Sequence, residues 1–200
     1  MNNNFYYDIT NTLTYNALYY FIIGERGVGK TTVVKQIADM IYRGEVPSPF
    51  KNHIVVNFRK GLHNLVQHFN EILNDAQNRA CYIFFVPDID LLIYDGSPYV
   101  DMVKQLLYNK QINVIATTIE ERYNRIEGDK HFPSVFKKIK IEEKNEEETI
   151  EMLKENKELY EMFHDVKYSD DIITECVKLC KRYIPNAVLP QTAFDVFDEG

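Results

Sequence analysis

The 200-residue chain contains no tryptophan and only three cysteines, and it has no long uninterrupted hydrophobic run. Cys81, Cys176 and Cys180 are odd in number and lack the spacing of a disulfide framework, which is typical of a reducing compartment. No apolar segment approaches the roughly 18 residues that a membrane helix requires. The first residues carry neither a basic nor an apolar stretch, so we expect no secretory signal. The sequence therefore predicts a soluble intracellular protein with no membrane partner.

Positive charge is also scarce. The formal net charge is −7, and no basic stripe offsets it, so we expect no nucleic-acid partner. The lack of tryptophan beside abundant Asn, Ile and Lys is typical of an A/T-rich genome, and this leaves the cytoplasm and an organelle such as a plastid both open. The chain is long enough for one α/β core with a small helical appendage.

The most informative stretch is residues 20–38. An apolar run is followed by the pattern Gly-x-x-x-x-Gly-Lys-Thr and then by apolar residues at helical spacing, which is the P-loop in its required strand–loop–helix context. Backbone N–H groups of such a loop surround phosphate oxygens, Lys30 contacts the β and γ phosphates, and the Thr31 hydroxyl holds Mg²⁺. The sequence predicts a site for ATP or ADP formed by Gly24, Glu25, Arg26, Gly27, Val28, Gly29, Lys30, Thr31 and Thr32.

Strand and helix patterns alternate up to residue 140. The hydrophobic periodicity predicts strands at 54–56, 82–86 and 112–116, with helices at 62–76 and 99–108. Alternation of this kind indicates a parallel sheet with ligands at the carboxyl ends of its strands. The later residues show only helical patterns, at 147–164, at 170–183 and after Pro190. We therefore expect an α/β nucleotide-binding domain over 1–140 and a helical lid over 141–200.

Six stretches, in order along the chain, resemble the first ATPase module of Clp-type AAA+ chaperones, the ClpB and ClpC group. They are Gly24–Thr31, Arg43–Pro47, Ala116–Glu121, Arg182–Ile184, Leu189–Pro190 and Ala193–Glu199. The resemblance implies a P-loop AAA+ parallel sheet flanked by helices, with a small all-helical lid. It also implies hexameric rings that use ATP to thread client proteins through a pore in protein quality control, often into a Clp peptidase. Family proteins are several times longer, so the chain corresponds to one module.

The chain departs from this family where the strand over residues 82–86 ends. The family has Asp-Glu there, for Mg²⁺ and for the attacking water, whereas a gapless match gives Pro87 and Asp88. Proline offers no ligand oxygen, and aspartate is shorter than glutamate by one bond of about 1.5 Å. A misplacement of that size costs on the order of a hundredfold in rate. Asp90 lies nearby, and a slipped register would bring Asp88 onto the metal instead, so both carboxylates stay candidates.

Arginine fingers are also missing. The family places arginines just before the residue matching Phe136, and here Ser134 and Val135 stand in those positions. Such arginines contribute about 10³–10⁵ in rate in other P-loop enzymes. Lys137 and Lys138 follow and could partly substitute, although an ammonium lacks the guanidinium fork. Surface lysines are the favoured interpretation.

Three further positions bear on function. The pore segment is reduced to Asn57–Gly61, roughly ten residues shorter than in the family, and Phe58 is either a remnant of the substrate grip or a core residue. Thr117 or Thr118 fits the polar sensor position that meets the γ-phosphate. Thr192 stands where the family often has a lysine.

The intact loop and the altered strand end lead to two hypotheses. The first is an ATP-binding Clp-type module with weakened or absent hydrolysis and weakly held Mg²⁺, which stabilises a ring of other Clp subunits. The alternative is a fully active ATPase that drives protein unfolding and translocation. Whether ATP is hydrolysed stays open, with Asp88, Asp90, Thr117 and Thr118 as the candidate catalytic residues and Thr31 and Asp88 as the candidate metal ligands.

Overall fold

The structure is a computed structural model that describes residues 19–58, 69–71, 73–75, 78, 82–94, 96–109, 112–128 and 136–199. Most of the helix expected at 62–76 lies outside the described residues, as do Cys81, Ser134 and Val135. The chain divides into two compact units. One contains Tyr19–Ile23 and Lys30–Lys140, and the other contains Gly24–Gly29 together with the residues from Ile141 onward.

The first unit is built on a five-stranded parallel sheet. Its strands are β1 (Tyr19–Ile23), β2 (Ile54–Asn57), β3 (Tyr82–Val86), β4 (Asn113–Thr118) and β5 (Lys137–Lys140). They lie in the order β2-β3-β4-β1-β5, and every neighbouring pair is parallel. Parallel strands need a crossover between them, and helices supply it here. They include α1 (Lys30–Arg43), α2 (Val100–Tyr108) and α3 (Glu120–Glu127), and the described residues 69–71, 73–75 and 78 are also helical.

The three central strands of the sheet are almost fully buried, whereas the edge strands β2 and β5 are partly exposed. All five residues of β1 are buried, as are the last four of β3 and the last five of β4. Continuous burial of this kind requires cover on both faces, which explains the apolar runs of β1 and β3. Strand β4 is apolar from Val114 to Ala116 and ends in the buried Thr117 and Thr118. The edge strand β5 is mostly exposed and carries three lysines, which oppose pairing with a further strand.

The two faces of the sheet are covered by different helices. Alternate residues of β1 and β4, among them Phe21 and Ala116, pack with Tyr123 and Ile126 of α3 and with three residues of α2. Helix α1 contacts β4 and buries Val33, Val34, Ile37 and Ile41, none of which belongs to that cluster. Neighbouring residues of one strand therefore point to different helices. The adjacent residues Thr117 and Thr118 consequently lie on opposite faces of the sheet.

The second unit contains three helices, α4 (Glu146–His164), α5 (Asp170–Tyr183) and α6 (Gln191–Glu199). Asn145 caps α4 in a reciprocal arrangement, since its side chain accepts from the Glu148 N–H at 2.8 Å and Glu148 accepts from the Asn145 N–H at 3.1 Å. Glu146, Glu147 and Glu148 occupy the first turn, where negative charge is favourable. The small core contains Leu153, Ile173, Val177, Cys180, Leu189, Ala193 and Phe197.

The predicted fold class is confirmed, including every predicted element that lies within the described residues. Two details differ. The strand expected at 112–116 runs to Thr118, so both threonines are strand residues. Strand β5 was not predicted, because its sequence Lys-Lys-Ile-Lys has one apolar residue and no hydrophobic run.

Candidate functional site

The loop between β1 and α1 adopts a conformation that depends on glycine. Gly27 has φ of 89° and Gly29 has φ of 96°, which is the left-handed region that residues with a Cβ rarely adopt. A Cβ on Gly27 would also come within 2.8 Å of the Gln191 Cβ. Gly24 and Val28 are buried, whereas Glu25 and Arg26 are exposed. The loop therefore has room for backbone groups and no room for additional side chains, as a phosphate cradle requires.

The residues after the loop begin α1. Lys30 is the first residue of the helix and is only 7% exposed, while Thr31 and Thr32 in the same turn are exposed. No acidic side chain occupies this first turn, so the partial positive charge of the helix N-terminus is not offset there. The ammonium group, the helix terminus and the Thr31 hydroxyl all suit a polyphosphate.

The chain turns sharply where β3 ends. Pro87 is buried, and Asp88 has φ of 45° and ψ of 53°, a left-handed conformation that aspartate tolerates better than most residues. A short 3₁₀ turn, Ile89–Leu91, follows it. The backbone N–H of Asp88 donates to the Thr117 hydroxyl oxygen at 2.9 Å, and the Leu91 N–H donates to the Asp88 carbonyl oxygen at 2.8 Å.

Asp90 forms a separate cluster with Thr118 and Arg122, called here the Asp90 cluster. The Thr118 hydroxyl donates to Asp90 Oδ1 at 2.7 Å, and Arg122 Nη1 donates to Asp90 Oδ2. The Asp90 side chain is 10% exposed and that of Arg122 is 35% exposed. The hydrogen bond to Asp90, with the negative charge of Asp90, raises the pKa of Arg122.

Thr117 and Thr118 therefore have different surroundings. Thr118 shares the face of Ala116, which packs against α3, and its hydroxyl is engaged with Asp90. Thr117 points to the opposite face, where α1 contacts β4, and its oxygen receives the Asp88 N–H. Between the two predicted sensor residues, the geometry favours Thr117.

The predicted catalytic residues thus separate into two groups. Asp88 and Thr117 are joined directly at the carboxyl ends of β3 and β4, whereas Asp90 and Thr118 bind each other and Arg122. Arg122 was not predicted as a site residue. Its sequence context is an acidic helical turn, and its partner Asp90 is 32 residues away, so no local signal in the sequence marks it.

Nucleotide and magnesium can be tested separately against these residues. The glycine geometry and Lys30 fit a phosphate chain. For Mg²⁺ the candidate ligands are the exposed Thr31 hydroxyl and the Asp88 carboxylate, because the Pro87 side chain has no oxygen. Mg²⁺ is commonly held by one or two carboxylates together with water and substrate phosphates. A single aspartate with one hydroxyl therefore fits Mg²⁺ with the smaller of these two numbers of carboxylates. Within the described residues no cluster of three or more His, Cys, Asp or Glu side chains forms a metal site.

Other candidates have structural roles. Phe58 is fully buried and packs edge-on against Phe69 at a ring-centroid distance of 6.4 Å, so the core interpretation is right and the substrate-grip interpretation is wrong. The Thr192 hydroxyl accepts from the Val188 N–H at 3.0 Å. Burial raises the pKa of the Cys176 thiol to about 11, so the thiol is protonated at neutral pH.

None of the helices in the described part of the chain is both long and apolar enough to cross a bilayer.

A five-stranded parallel sheet, a glycine loop followed by a helix, and a separate three-helix unit define a P-loop nucleotide-binding module with a helical lid. The family described as "ATPase family associated with various cellular activities (AAA)" matches residues 20–127, and the family described as "AAA lid domain" matches residues 145–200. The chain belongs to the AAA family of ATPases, within its Clp-type group, as the following relatives show.

The curated relatives carry Clp names. The ATP-dependent Clp protease ATP-binding subunit ClpE of Bacillus subtilis is 32% identical over 194 residues, which cover 90% of this chain and 28% of the relative. The chaperone protein ClpB of Clostridium tetani is 31% identical over 194 residues, covering 90% of this chain and 22% of the relative. The chain thus spans about a quarter of the length of the curated relatives it matches.

Solved structures show the same fold. The S. cerevisiae Hsp104–ADP complex matches with a TM-score of 0.83 and 24% identity, covering 98% of this chain and 30% of that chain. A closed-state reconstruction of Hsp104 with ATPγS and FITC-casein matches with a TM-score of 0.84 and 24% identity, covering 100% of this chain and 37% of that one.

Proposed function

We propose that the chain is the ATP-binding module of a Clp-type chaperone or unfoldase subunit, and that its own ATP hydrolysis is weak or absent. One contrast carries the proposal. The P-loop keeps its glycines in the left-handed conformation and its lysine at the helix start, whereas the position of the metal aspartate is occupied by the buried Pro87.

Nucleotide binding rests on the loop. Gly27, Gly29 and Lys30 provide a cradle and a charge for the phosphates, and Thr31 is the hydroxyl donor to Mg²⁺. The names of the curated relatives include ATP-binding subunits of a Clp protease. ATP and ADP are therefore the proposed ligands.

Weak hydrolysis rests on the turn after β3. Mg²⁺, when bound, neutralises phosphate charge and orients the phosphate chain. Asp88, whose backbone N–H donates to Thr117, is the residue at this turn whose carboxylate has to serve in place of the two carboxylates of the family pattern. With a single short carboxylate, Mg²⁺ is held weakly and the attacking water is poorly positioned, so turnover should fall by at least the hundredfold that a misplacement of about 1 Å costs.

The proposed partners are other Clp subunits in a ring, client proteins and a Clp peptidase. Their support is the Clp identity of the relatives, of which this chain matches one segment. In such a ring this module would hold nucleotide and so stabilise the assembly. Another module or subunit would carry out ATP hydrolysis. The Ser134 and Val135 positions supply no arginine to a neighbour, in agreement with this division of work.

The alternative is a fully active ATPase that drives unfolding. One observation favours it: Thr117 fixes the backbone of Asp88 at 2.9 Å, so a carboxylate-bearing residue remains anchored at the carboxyl end of β3. An anchored aspartate can act as a general base as well as a metal ligand.

Equilibrium binding and steady-state turnover, measured on the same preparation, test the proposal. We expect ATP and ADP to bind in calorimetric titration while phosphate release stays far below the roughly 1–10³ per second usual for enzymes. Turnover within that range would establish the alternative. Absence of any heat of binding with millimolar nucleotide would refute both.

A further inference from the structure

We propose that Arg122 is a positioning residue for Asp88: together with the Thr118 hydroxyl, its guanidinium group holds Asp90 and so fixes the turn that carries Asp88. The inference rests on the proposed function, in which Asp88 is the carboxylate that takes Mg²⁺. It adds a residue that the P-loop pattern does not contain, and it decides between the two candidate carboxylates.

The turn that carries Asp88 depends on contacts made by its neighbours. Asp88 has a left-handed backbone, which a non-glycine residue keeps only when its surroundings define it. Before the turn, the Asp88 N–H donates to Thr117. After the turn, Asp90 accepts from Thr118 and Arg122. The segment is therefore fastened on both sides of Asp88, by adjacent residues of β4 that point to opposite faces of the sheet.

Arg122 is the part of this arrangement that supplies charge. Asp90 is 10% exposed, and a carboxylate in such a place is unfavourable without a cation or several hydrogen-bond donors. Arg122 and Thr118 each bind a different oxygen of Asp90, which draws this carboxylate toward α3. The turn is then held in the orientation in which the Asp88 N–H meets the Thr117 hydroxyl.

The same cation separates the roles of the two aspartates. The hydrogen bond and charge of Asp90 are the main reasons that the pKa of Arg122 is raised, and the charge of Asp88 contributes in the same direction. The ion pair with Arg122 offsets the negative charge of Asp90. Loss of Arg122 would leave two like charges two residues apart and would remove one of the contacts that fix the turn carrying Asp88.

The test measures the magnesium increment, defined as the ratio of the ATP dissociation constants in EDTA and in saturating MgCl₂. We expect Arg122→Gln to lower this increment roughly tenfold, the lower end of the 10–100-fold cost of removing an outer-shell partner of a metal ligand. Its ATP affinity in EDTA should stay within about twofold of the wild type, because the phosphate loop is untouched. Arg122→Lys should recover part of the increment, since it keeps the charge and loses the fork.

Two further variants make the result specific. Arg125→Gln is the matched control, because Arg125 forms an exposed ion pair with Glu121 on the same helix and does not contact Asp90. The double variant Asp90→Asn with Arg122→Gln should lower the increment no further than Arg122→Gln alone, as expected for residues that act as one unit.

The outcomes separate this inference from the proposed function. If Asp88→Asn removes the increment while Arg122→Gln leaves it intact and only lowers the melting temperature, Arg122 has a structural role and the inference is wrong. If Asp88→Asn leaves the increment intact, Asp88 is not the metal carboxylate, and the proposed function fails at this residue together with the inference.

Discussion

The loop after β1 and the turn after β3 both depend on left-handed backbone, but they obtain it differently. Gly27 and Gly29 reach φ near 90° at no steric cost. In the turn after β3 the left-handed residue is an aspartate, Asp88, with φ of 45°, and it follows a buried proline. The first segment matches the P-loop pattern at every position, and the second lacks both the aspartate and the glutamate of its family.

This difference teaches that phosphate binding and catalysis depend on separable parts of one fold. A phosphate cradle is made mainly of backbone N–H groups and one lysine, so phosphate binding is retained as long as the glycines and the lysine are present. Catalysis of phosphoryl transfer is mainly positioning and charge stabilisation, so it fails when a single carboxylate is displaced. The following predictions challenge that separation.

The largest expected effect is at Lys30. Lys30→Ala should abolish nucleotide-dependent thermal stabilisation, because it removes the ammonium group that contacts the nucleotide phosphates and leaves the fold intact. At a hundredfold excess of ligand over its dissociation constant, binding contributes about 2.7 kcal/mol, which corresponds to a shift of roughly 5–10 °C for a chain of this size. Differential scanning fluorimetry with and without ATP measures the loss.

Lys35→Ala is the matched control for this change, since Lys35 is an exposed lysine on the same helix. It should retain the full shift. Equal shifts in both variants would mean that the nucleotide binds away from the loop.

The next effect is at Pro87. Pro87→Asp restores a carboxylate at the metal position and should raise steady-state turnover by on the order of a hundredfold. Adding Asp88→Glu should help less than the family pattern suggests, because glutamate has to adopt the φ of 45° that aspartate tolerates. Phosphate release by the single and double variants separates the two contributions.

Val135→Arg alone provides the comparison for these variants. An arginine finger acts on a neighbouring subunit, so it should change nothing in a monomer and should add its factor only in an assembled ring. A gain from this arginine in a monomeric preparation would contradict the assignment of its position.

The sequence predicted the loop after β1 better than it predicted the turn after β3. The P-loop is local, with eight consecutive residues that define both conformation and chemistry. The turn after β3 depends on pairs that are distant in sequence, since Asp88 meets Thr117 across 29 residues and Asp90 meets Arg122 across 32. The sequence did not predict strand β5 for a related reason. This strand is held by backbone pairing with β1, and only Ile139 among its side chains is partly buried.

A smaller effect distinguishes the two threonines. Thr117→Val leaves the Asp88 N–H without its acceptor and should cost about 1–3 kcal/mol of stability, as for other buried groups that lose a partner. It should also weaken magnesium-dependent ATP binding. Thr118→Val removes one of the two donors to Asp90 and should cost about 1 kcal/mol, with a smaller change in binding, because Arg122 remains.

Chemical denaturation together with ATP titration measures both quantities for this pair. Equal losses of binding in the two variants would show that the two faces of β4 contribute alike. That result would remove the reason for choosing Thr117 as the sensor.

The smallest effect concerns a carboxylate in the helical unit that resembles Asp90 in its contacts. Glu161 is 7% exposed and accepts from Lys167 Nζ at 2.7 Å and from the Tyr168 N–H at 2.9 Å. The Lys167 hydrogen bond, and after it the backbone N–H, hold the pKa of Glu161 below its ordinary value. A carboxyl with a lowered pKa in the folded state stabilises the protein above its unfolded pKa of about 4.3, and this stabilisation is lost as the pH falls through the folded pKa.

Glu161→Gln should therefore flatten the decline of the melting temperature below about pH 4.3 while leaving ATP affinity at neutral pH unchanged. Glu158→Gln, an exposed carboxylate on the same helix, is the control and should leave the decline intact. The comparison with Asp90 is informative because both carboxylates accept from a cation and from one further donor, yet only the Asp90 variants should alter the magnesium increment. A change in that increment on Glu161→Gln would mean that rigidity anywhere in the chain, and not the placement of Asp88, sets the affinity for Mg²⁺.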